Sequence, residues 1–509
     1  MTSAQPKRPR DPRLDFFRGA AMLIILIAHI PGNGWLLWIP ARFGFSDATE
    51  IFVFCSGLAS SMAFGGVFAA RGWLLGSARI AYRLWQVYWA HVGVFVATVA
   101  MLAAIDAGGW GLPDKSYFDE PYVRPFIEDP ARGLPGLLTL RYTPGLFDIL
   151  PMYLVILALV PAMVVVHRVG GTPAFVGLSI GLWLAASLGG WAHAAPDGVR
   201  GLAAALSSVG AAFSALNLPA SPWDPAATWF FNPFAWQVVF FAGFGLGMGW
   251  LRPPPPSRGL ILAALAYLVV SLPFAWFRLY AGLYLPEGSA VAAWLAQVRA
   301  AIDPLIWKGP IGGLRVLHFF ALAYLAWAAV GPGGARLIAP EAPARPRGRI
   351  ALAVGAAALA LVTSPWAWLD PLGDHKPAID WLPAVSYAAL GWISLAHAAA
   401  LVALIWWGLP EAWTRLAFER GVPRLVGVLR KVGTQSLAVF MLSIPLSQAL
   451  GLLLDRIGRD PLGLAAANLL GVAILIVAAY LVGWFKGQPW RGSSRPAHDR
   501  RATSPAPAE

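Results

Sequence analysis

The sequence predicts an all-α, polytopic integral membrane protein with about 10–12 transmembrane helices, and three observations carry that reading. Hydrophobic residues make up 58% of the 509 and charged residues only 12%, about half the charged share of a soluble globular chain; mean hydropathy is +0.63. Apolar stretches of about 20 residues, long enough to cross a bilayer core, recur at roughly 15–38, 47–70, 80–105, 147–167, 173–193, 233–251, 259–278, 314–331, 350–369, 384–408, 434–454 and 463–485. Basic residues gather in alternate connections. With the N-terminus in the cytoplasm, 25 of the 38 Lys and Arg fall on the cytoplasmic side and 13 on the other, the asymmetry that sets membrane orientation. Both termini are then cytoplasmic.

Composition also excludes classes. The net charge of +13 is split into short runs between apolar spans rather than gathered into a basic domain with interleaved aromatics, so nucleic acid is not a partner. Cys55 is the single cysteine, which rules out an intramolecular disulfide and any zinc–thiolate site. Lys7, Arg8, Arg10 and Arg13 ahead of an apolar stretch mimic a signal peptide, but that stretch holds Arg18 and His29 and many spans follow, so it reads as a retained first helix. One transmembrane domain is expected over 13–486, with 1–12 and 487–509 as disordered cytoplasmic ends.

The first span carries Arg18 and His29, eleven residues apart. That is about three helical turns, so both project from one face, about 16 Å apart along the axis. A connection containing Pro31, Gly32, Gly34 and Pro40 leads to Asp47 and Glu50, which open the second span at i, i+3 spacing and share a face. Ionisable groups inside apolar spans are expensive and mark a functional site by default. Asp47 with Glu50 also fits a capping box, and the two readings are compatible. In the third span Arg79 and Arg83 stack at i, i+4, either as phosphate ligands or as arginines snorkelling to the cytoplasmic interface. Asp148 precedes the fourth span as a cap or a glycan-binding carboxylate. Asn232 and His318 lie at span ends, where interhelical hydrogen bonding is the alternative to ligand binding.

The cytoplasmic connections are short and basic, among them Arg415 to Lys431. The opposite side carries long connections, about 106–146, 194–232, 279–313 and 370–383, rich in Trp, Tyr, Asp, Gly and Pro. Their rings suit either a carbohydrate-stacking surface or the aromatic belt of a membrane interface.

The ordered motifs RDPRLDFFRG, HIPGN, FGFSDATEIFVFCSG, RLWQVYWAH, FDILPMY, WFFNPFAWQ and LHFFALA, spread over about 10–485, resemble the OpgC family, membrane proteins associated with succinylation of osmoregulated periplasmic glucans. That family is similar to the wider acyltransferase-3 group of membrane sugar O-acyltransferases. An arginine followed by ten residues and a histidine is met by Arg18 and His29. An acidic residue ahead of an aromatic run ending in Ser-Gly is met by Glu50, Phe52, Phe54, Ser56 and Gly57. The group's Arg-x-x-Arg before the third span becomes Arg79-x-x-x-Arg83 here.

The resemblance implies O-acyl transfer at the bacterial inner membrane, from a cytoplasmic acyl-CoA, with succinyl-CoA preferred, to a periplasmic glucan. The acyl-CoA is a co-substrate, no cofactor is tightly bound, no metal is implied, and glucan-synthesis proteins are further partners. His29 is the expected general base, with Glu50 or Asp47 orienting its imidazole as a carboxylate does in an Asp–His pair. Arg18, Arg79 and Arg83 are expected to hold the donor's phosphates. Arg315 and His318, i, i+3 on one helix, are expected to clamp the succinyl carboxylate, with Arg42 second, and Asp148 and Asn232 to meet the glucan; structural pairing of either arginine with Asp47 or Asp148 is the alternative. A secondary transporter or flippase, acetyl transfer to another envelope glycan, and a glucan-synthesis scaffold are the competing readings. Transporter folds of this kind show symmetric halves, and none is visible here.

Overall fold

The structure, a computed structural model, describes residues 11–120, 122–194, 202–286, 288–367 and 387–490. Numbered in chain order, its helices of more than ten residues are α1 Pro12–His29, α2 Ala48–Ser60, α3 Gly66–Ala107, α4 Ile149–Ala194, α5 Pro233–Met248, α6 Arg258–Ala275, α7 Ala290–Ile306, α8 Gly313–Val330, α9 Arg349–Ala367, α10 Tyr387–Gly408, α11 Val422–Thr434, α12 Ser436–Ile457 and α13 Pro461–Gly487. The described residues contain no β-strand, only the isolated bridge between Pro219 and Thr228. Among them, seven helices are long and apolar enough to cross a membrane.

Two of the seven are too long for one crossing. Ala48–Ala107 runs 60 residues through a π turn at Ser61–Gly65, about 90 Å if straight, some three times the bilayer core. It breaks at Gly72, where φ is 80°, a left-handed conformation that glycine adopts without strain. α4 breaks likewise at Gly171, φ 65°, just ahead of Pro173. Each break falls beside the basic connection expected there, so each kinked run supplies two of the predicted spans. The other predicted spans each fall on a separate helix, but those at 15–38, 233–251 and 350–369 fall on helices outside the seven, Pro233–Met248 and Arg349–Ser364 being shorter apolar helices.

The first span is shorter than expected. Ile30 precedes a proline and is extended, Pro31 cannot continue the ladder, and Gly32 is left-handed, so α1 ends at His29 rather than near 38. The chain continues as short 3₁₀ turns over Gly34–Trp38 and Pro40–Arg42. The amides of Asn33 and Asn468 exchange hydrogen bonds of 2.9 Å in both directions, and Asn33 also donates to Ile27 O. The break is thereby locked to α13.

α1 and α2 sit where backbones approach closely. A Cβ on Gly57 would lie 1.9 Å from Phe240 O, and one on Gly433 1.9 Å from Asp15 O. Only glycine admits the α2–α5 and α1–α11 crossings at these distances. The α11 crossing corrects the expectation of a plain cytoplasmic connection over Arg415–Lys431, because Val422–Thr434 is a helix packed on α1 and α13. Trp236, Phe240, Phe241 and Phe244 of α5, all fully buried, fill the space between α2 and α4.

At the ends, Asp11 caps α1 and Pro12 is its first residue, so the domain starts slightly before 13; residues 1–10 and 491–509, where disorder was expected, lie outside the described residues, as does the expected 370–383 connection. In the 106–146 connection several aromatic rings turn inward, although Trp110 is exposed. Tyr142 stacks on Phe126 and meets Trp223 edge-on, while Phe147 packs on Phe95. Tyr117 donates to Asp455 at 2.6 Å and Tyr122 to Gln448 at 2.8 Å, stapling the segment to α12. Burial and the Asp455 carboxylate push the Tyr117 phenol up to about 12, so the Tyr117–Asp455 bond persists throughout the neutral range.

Candidate functional site

The site is built on the first turn of α2. Asp47 caps the helix, accepting from Thr49 N at 2.6 Å, and Glu50 reaches back to Asp47 N at 2.8 Å, the capping box foreseen from their spacing. Each carboxylate keeps a second oxygen, and those oxygens meet cations. Arg315 bonds Glu50 through Nε and Asp47 through Nη2, the latter at 3.2 Å, and Lys308 donates to Asp47 at 2.6 Å. The four side chains carry two negative and two positive charges. Their exposures are 0% for Glu50, 9% for Arg315, 10% for Asp47 and 31% for Lys308. Ions so deeply buried persist only when paired and hydrogen-bonded, as these are.

His29, the last residue of α1, is half-buried, and its Nδ1 lies 2.6 Å from Ile25 O. A carbonyl oxygen only accepts, so Nδ1 carries the hydrogen and Nε2 keeps its lone pair, the tautomer a general base needs. His29 lies within electrostatic reach of both Lys308 and Asp47. The expected carboxylate–imidazole hydrogen bond is not formed. Glu50 is bound to Arg315 and Asp47 to Lys308 and Arg315, so the Ile25 carbonyl orients the ring. Asp148, buried ahead of α4, also lies within reach of Lys308.

Lys308 is the residue that sequence reasoning missed, and the loop carrying it is tightly held. Trp236 Nε1 donates to Lys308 O at 3.0 Å and to Gly309 O at 2.9 Å, Ser187 to Pro310 O, and Trp183 Nε1 to Ile311 O at 2.8 Å. Ile311 sits at φ 40° and Leu146, two residues before Asp148, at φ 74°. Left-handed backbone at a β-branched residue is strained and survives only where surroundings impose it. The available signal was a lone lysine in WKGPIGG, seven residues ahead of Arg315.

The remaining expected residues separate. His318 is near the cluster but turns to Ser46, whose Oγ is 2.7 Å from its Nδ1, in a cavity of about 280 Å³ lined also by Gly44, Leu268, Leu272 and Leu322. Arg315 and His318 thus face different partners: the Nε–Nη2 edge of Arg315 bridges Glu50 and Asp47, while His318 meets Ser46. Arg42 lies over Phe277, 6.0 Å from its ring centre, away from that pair. Asn232 accepts from Phe234 N and Ala235 N as the cap of α5 and donates to Leu216 O and Asn217 Oδ1, so its amide is engaged in structure. The three donor-side arginines have three separate settings. Arg18 lies over Phe52 at 5.6 Å, Arg79 donates to Ala63 O and Arg83 to Gln86.

The fold and site define an all-α polytopic membrane protein with a paired ionic cluster, and a base-competent imidazole beside it, enclosed among its apolar helices. The chain belongs to the OpgC family: the model described as OpgC protein matches residues 10–361 and 335–487. No curated protein and no solved structure matches the chain.

Proposed function

We propose that this protein transfers an acyl group, succinyl by preference, from an acyl-CoA on the cytoplasmic side of the inner membrane to a hydroxyl of a periplasmic glucan, with both termini cytoplasmic. Membership of the OpgC family supports a glucan acyltransferase broadly. The observation that carries the finer reading is the His29 hydrogen bond to Ile25 O, which leaves Nε2 free to accept a proton beside the charged cluster. In the proposed step Nε2 takes the proton of the glucan hydroxyl as its oxygen attacks the thioester carbonyl carbon. The tetrahedral oxyanion collapses, the carbon–sulfur bond breaks, and the imidazolium returns its proton to the departing CoA thiolate. Arg79, exposed on α3, and Arg83 near it are proposed to meet the CoA phosphates.

The test is to incubate purified protein with labelled succinyl-CoA and unmodified glucan and to look for ester-linked succinate. His29→Ala is expected to lose about 10²–10⁴-fold in rate with unchanged insertion and glucan abundance. A stably inserted His29→Ala that retains a third of wild-type activity removes His29 from the mechanism.

A further inference from the structure

We propose that Lys308, rather than Arg315, anchors the free carboxylate of the transferred acyl group and so sets the preference for a dicarboxylic donor; the proposal rests on acyl transfer at His29. An acetyl group has no such carboxylate and needs no partner in the cavity. A succinyl group does, because an anion enclosed among apolar helices requires a cation or strong donors.

Arg315 is unsuited to that role. Its side chain is only 9% exposed against 31% for Lys308, and its Nε–Nη2 edge already bridges Glu50 and Asp47. Lys308 is the most exposed of the four charged groups, with 31% of its side chain accessible. Its ammonium has three N–H donors, and the bond to Asp47 engages one of them; no other hydrogen-bond acceptor meets it among the described residues. Two donors are left for an incoming carboxylate without breaking the pair with Asp47.

Position agrees with this role. Lys308 holds Asp47, the cap of α2, at 2.6 Å, and in an extended succinyl group the carboxylate carbon lies about 4 Å from the carbonyl carbon under attack, three C–C bonds away. The apolar ring of Phe231, 5.5 Å from Nζ, forms one wall beside the ammonium. Because Trp236, Trp183 and Ser187 fix the backbone of the loop, the ammonium is placed before the donor arrives, the preorganisation a specificity residue needs.

The experiment is a donor competition in lipid nanodiscs with full-length protein and glucan, using succinyl-CoA, acetyl-CoA and succinamoyl-CoA, the last replacing the terminal carboxylate by a neutral amide of the same size. Wild type is expected to favour succinyl over succinamoyl by about 10- to 100-fold in kcat/KM, the range for a charge-assisted hydrogen bond. Lys308→Gln is expected to lose most of that ratio and Lys308→Arg to keep most of it. Equal use of succinyl and succinamoyl donors by wild type, which needs no variant to fold, overturns the proposal, as does an unchanged ratio in Lys308→Gln. Absence of transfer from every donor by wild type defeats instead the acyl-transfer reading on which the proposal rests.

Discussion

Arg315→Met separates a structural arginine from a ligand-binding one. The guanidinium is 9% exposed and bonds a carboxylate that is 0% exposed, Glu50, together with one that is 10% exposed, Asp47. Truncating it removes both bonds and leaves Glu50 buried with only its capping bond to Asp47 N, whereas Asp47 retains Lys308. Removing one partner of a buried ion pair destabilises by about 3–5 kcal/mol, and that is the loss expected here. The double variant Glu50→Gln/Arg315→Met is expected to recover most of it, because glutamine can still accept from Asp47 N without carrying a charge. Unfolding titrations in mixed dodecylmaltoside and SDS micelles, followed by far-UV circular dichroism, give the three stabilities. A single variant as stable as wild type, or a double variant no better than the single, would refute the claim that Arg315 is held by Glu50. If Arg315 instead clamped substrate, its loss would leave stability intact and alter only donor choice.

Alanine at Arg79 and at Arg83 is expected to raise the KM for acyl-CoA several-fold while leaving that for glucan unchanged, with lysine rescuing Arg83 only in part because it lacks the bidentate fork; initial-rate kinetics with no change in acyl-CoA dependence would leave both as topology signals. His91 is fully buried, and neither ring nitrogen has a hydrogen-bond partner among the described residues. An unsatisfied buried polar group destabilises by about 1–3 kcal/mol, so His91→Leu is expected to match or exceed wild-type stability in the same titrations. A loss of more than about 1 kcal/mol on that scale would mean that the imidazole is bonded in a way this geometry does not contain.

The helices were legible because bilayer thickness imposes a length that sequence displays directly, and even the breaks at Gly72 and Gly171 fell beside basic connections. Asp47 and Glu50 were legible as a pair because i, i+3 spacing on a helix is local geometry. What escaped was pairing across the fold. A structural pairing of Arg315 with Asp47 or Asp148 is conceivable from sequence, but nothing along the chain selects Asp47 together with Glu50, more than 260 residues earlier, or adds Lys308, because such partners meet only once α8 packs near α2. Asn232 misled for the opposite reason: an amide ahead of Pro233 looks equally good as a cap or a ligand, and only the bonds to Leu216 and Asn217 decide for the cap. The first span was overextended because Trp35, Leu36, Leu37 and Trp38 are apolar enough to prolong it, yet the Pro31–Gly32 step ends the ladder before hydropathy falls.

That early end is what gives the site its chemistry. Had α1 run on to residue 38 as the apolar pattern suggests, His29 would lie in mid-helix, with its side chain confined by the turns on both sides. Because the helix stops, the imidazole keeps the i−4 carbonyl of Ile25 as an acceptor for Nδ1 while nothing helical follows to cover Nε2. The Asn33–Asn468 exchange holds the interrupted end in place, which compensates for the ladder bonds that Pro31 removes. Across the site, the Lys308 loop reaches its position through a strained Ile311 held by Trp183. An imidazole on a broken helix end and a cation on a strained loop thus accompany the capping carboxylates of a third segment, and the local irregularities stand where rigid tertiary bonds can sustain them.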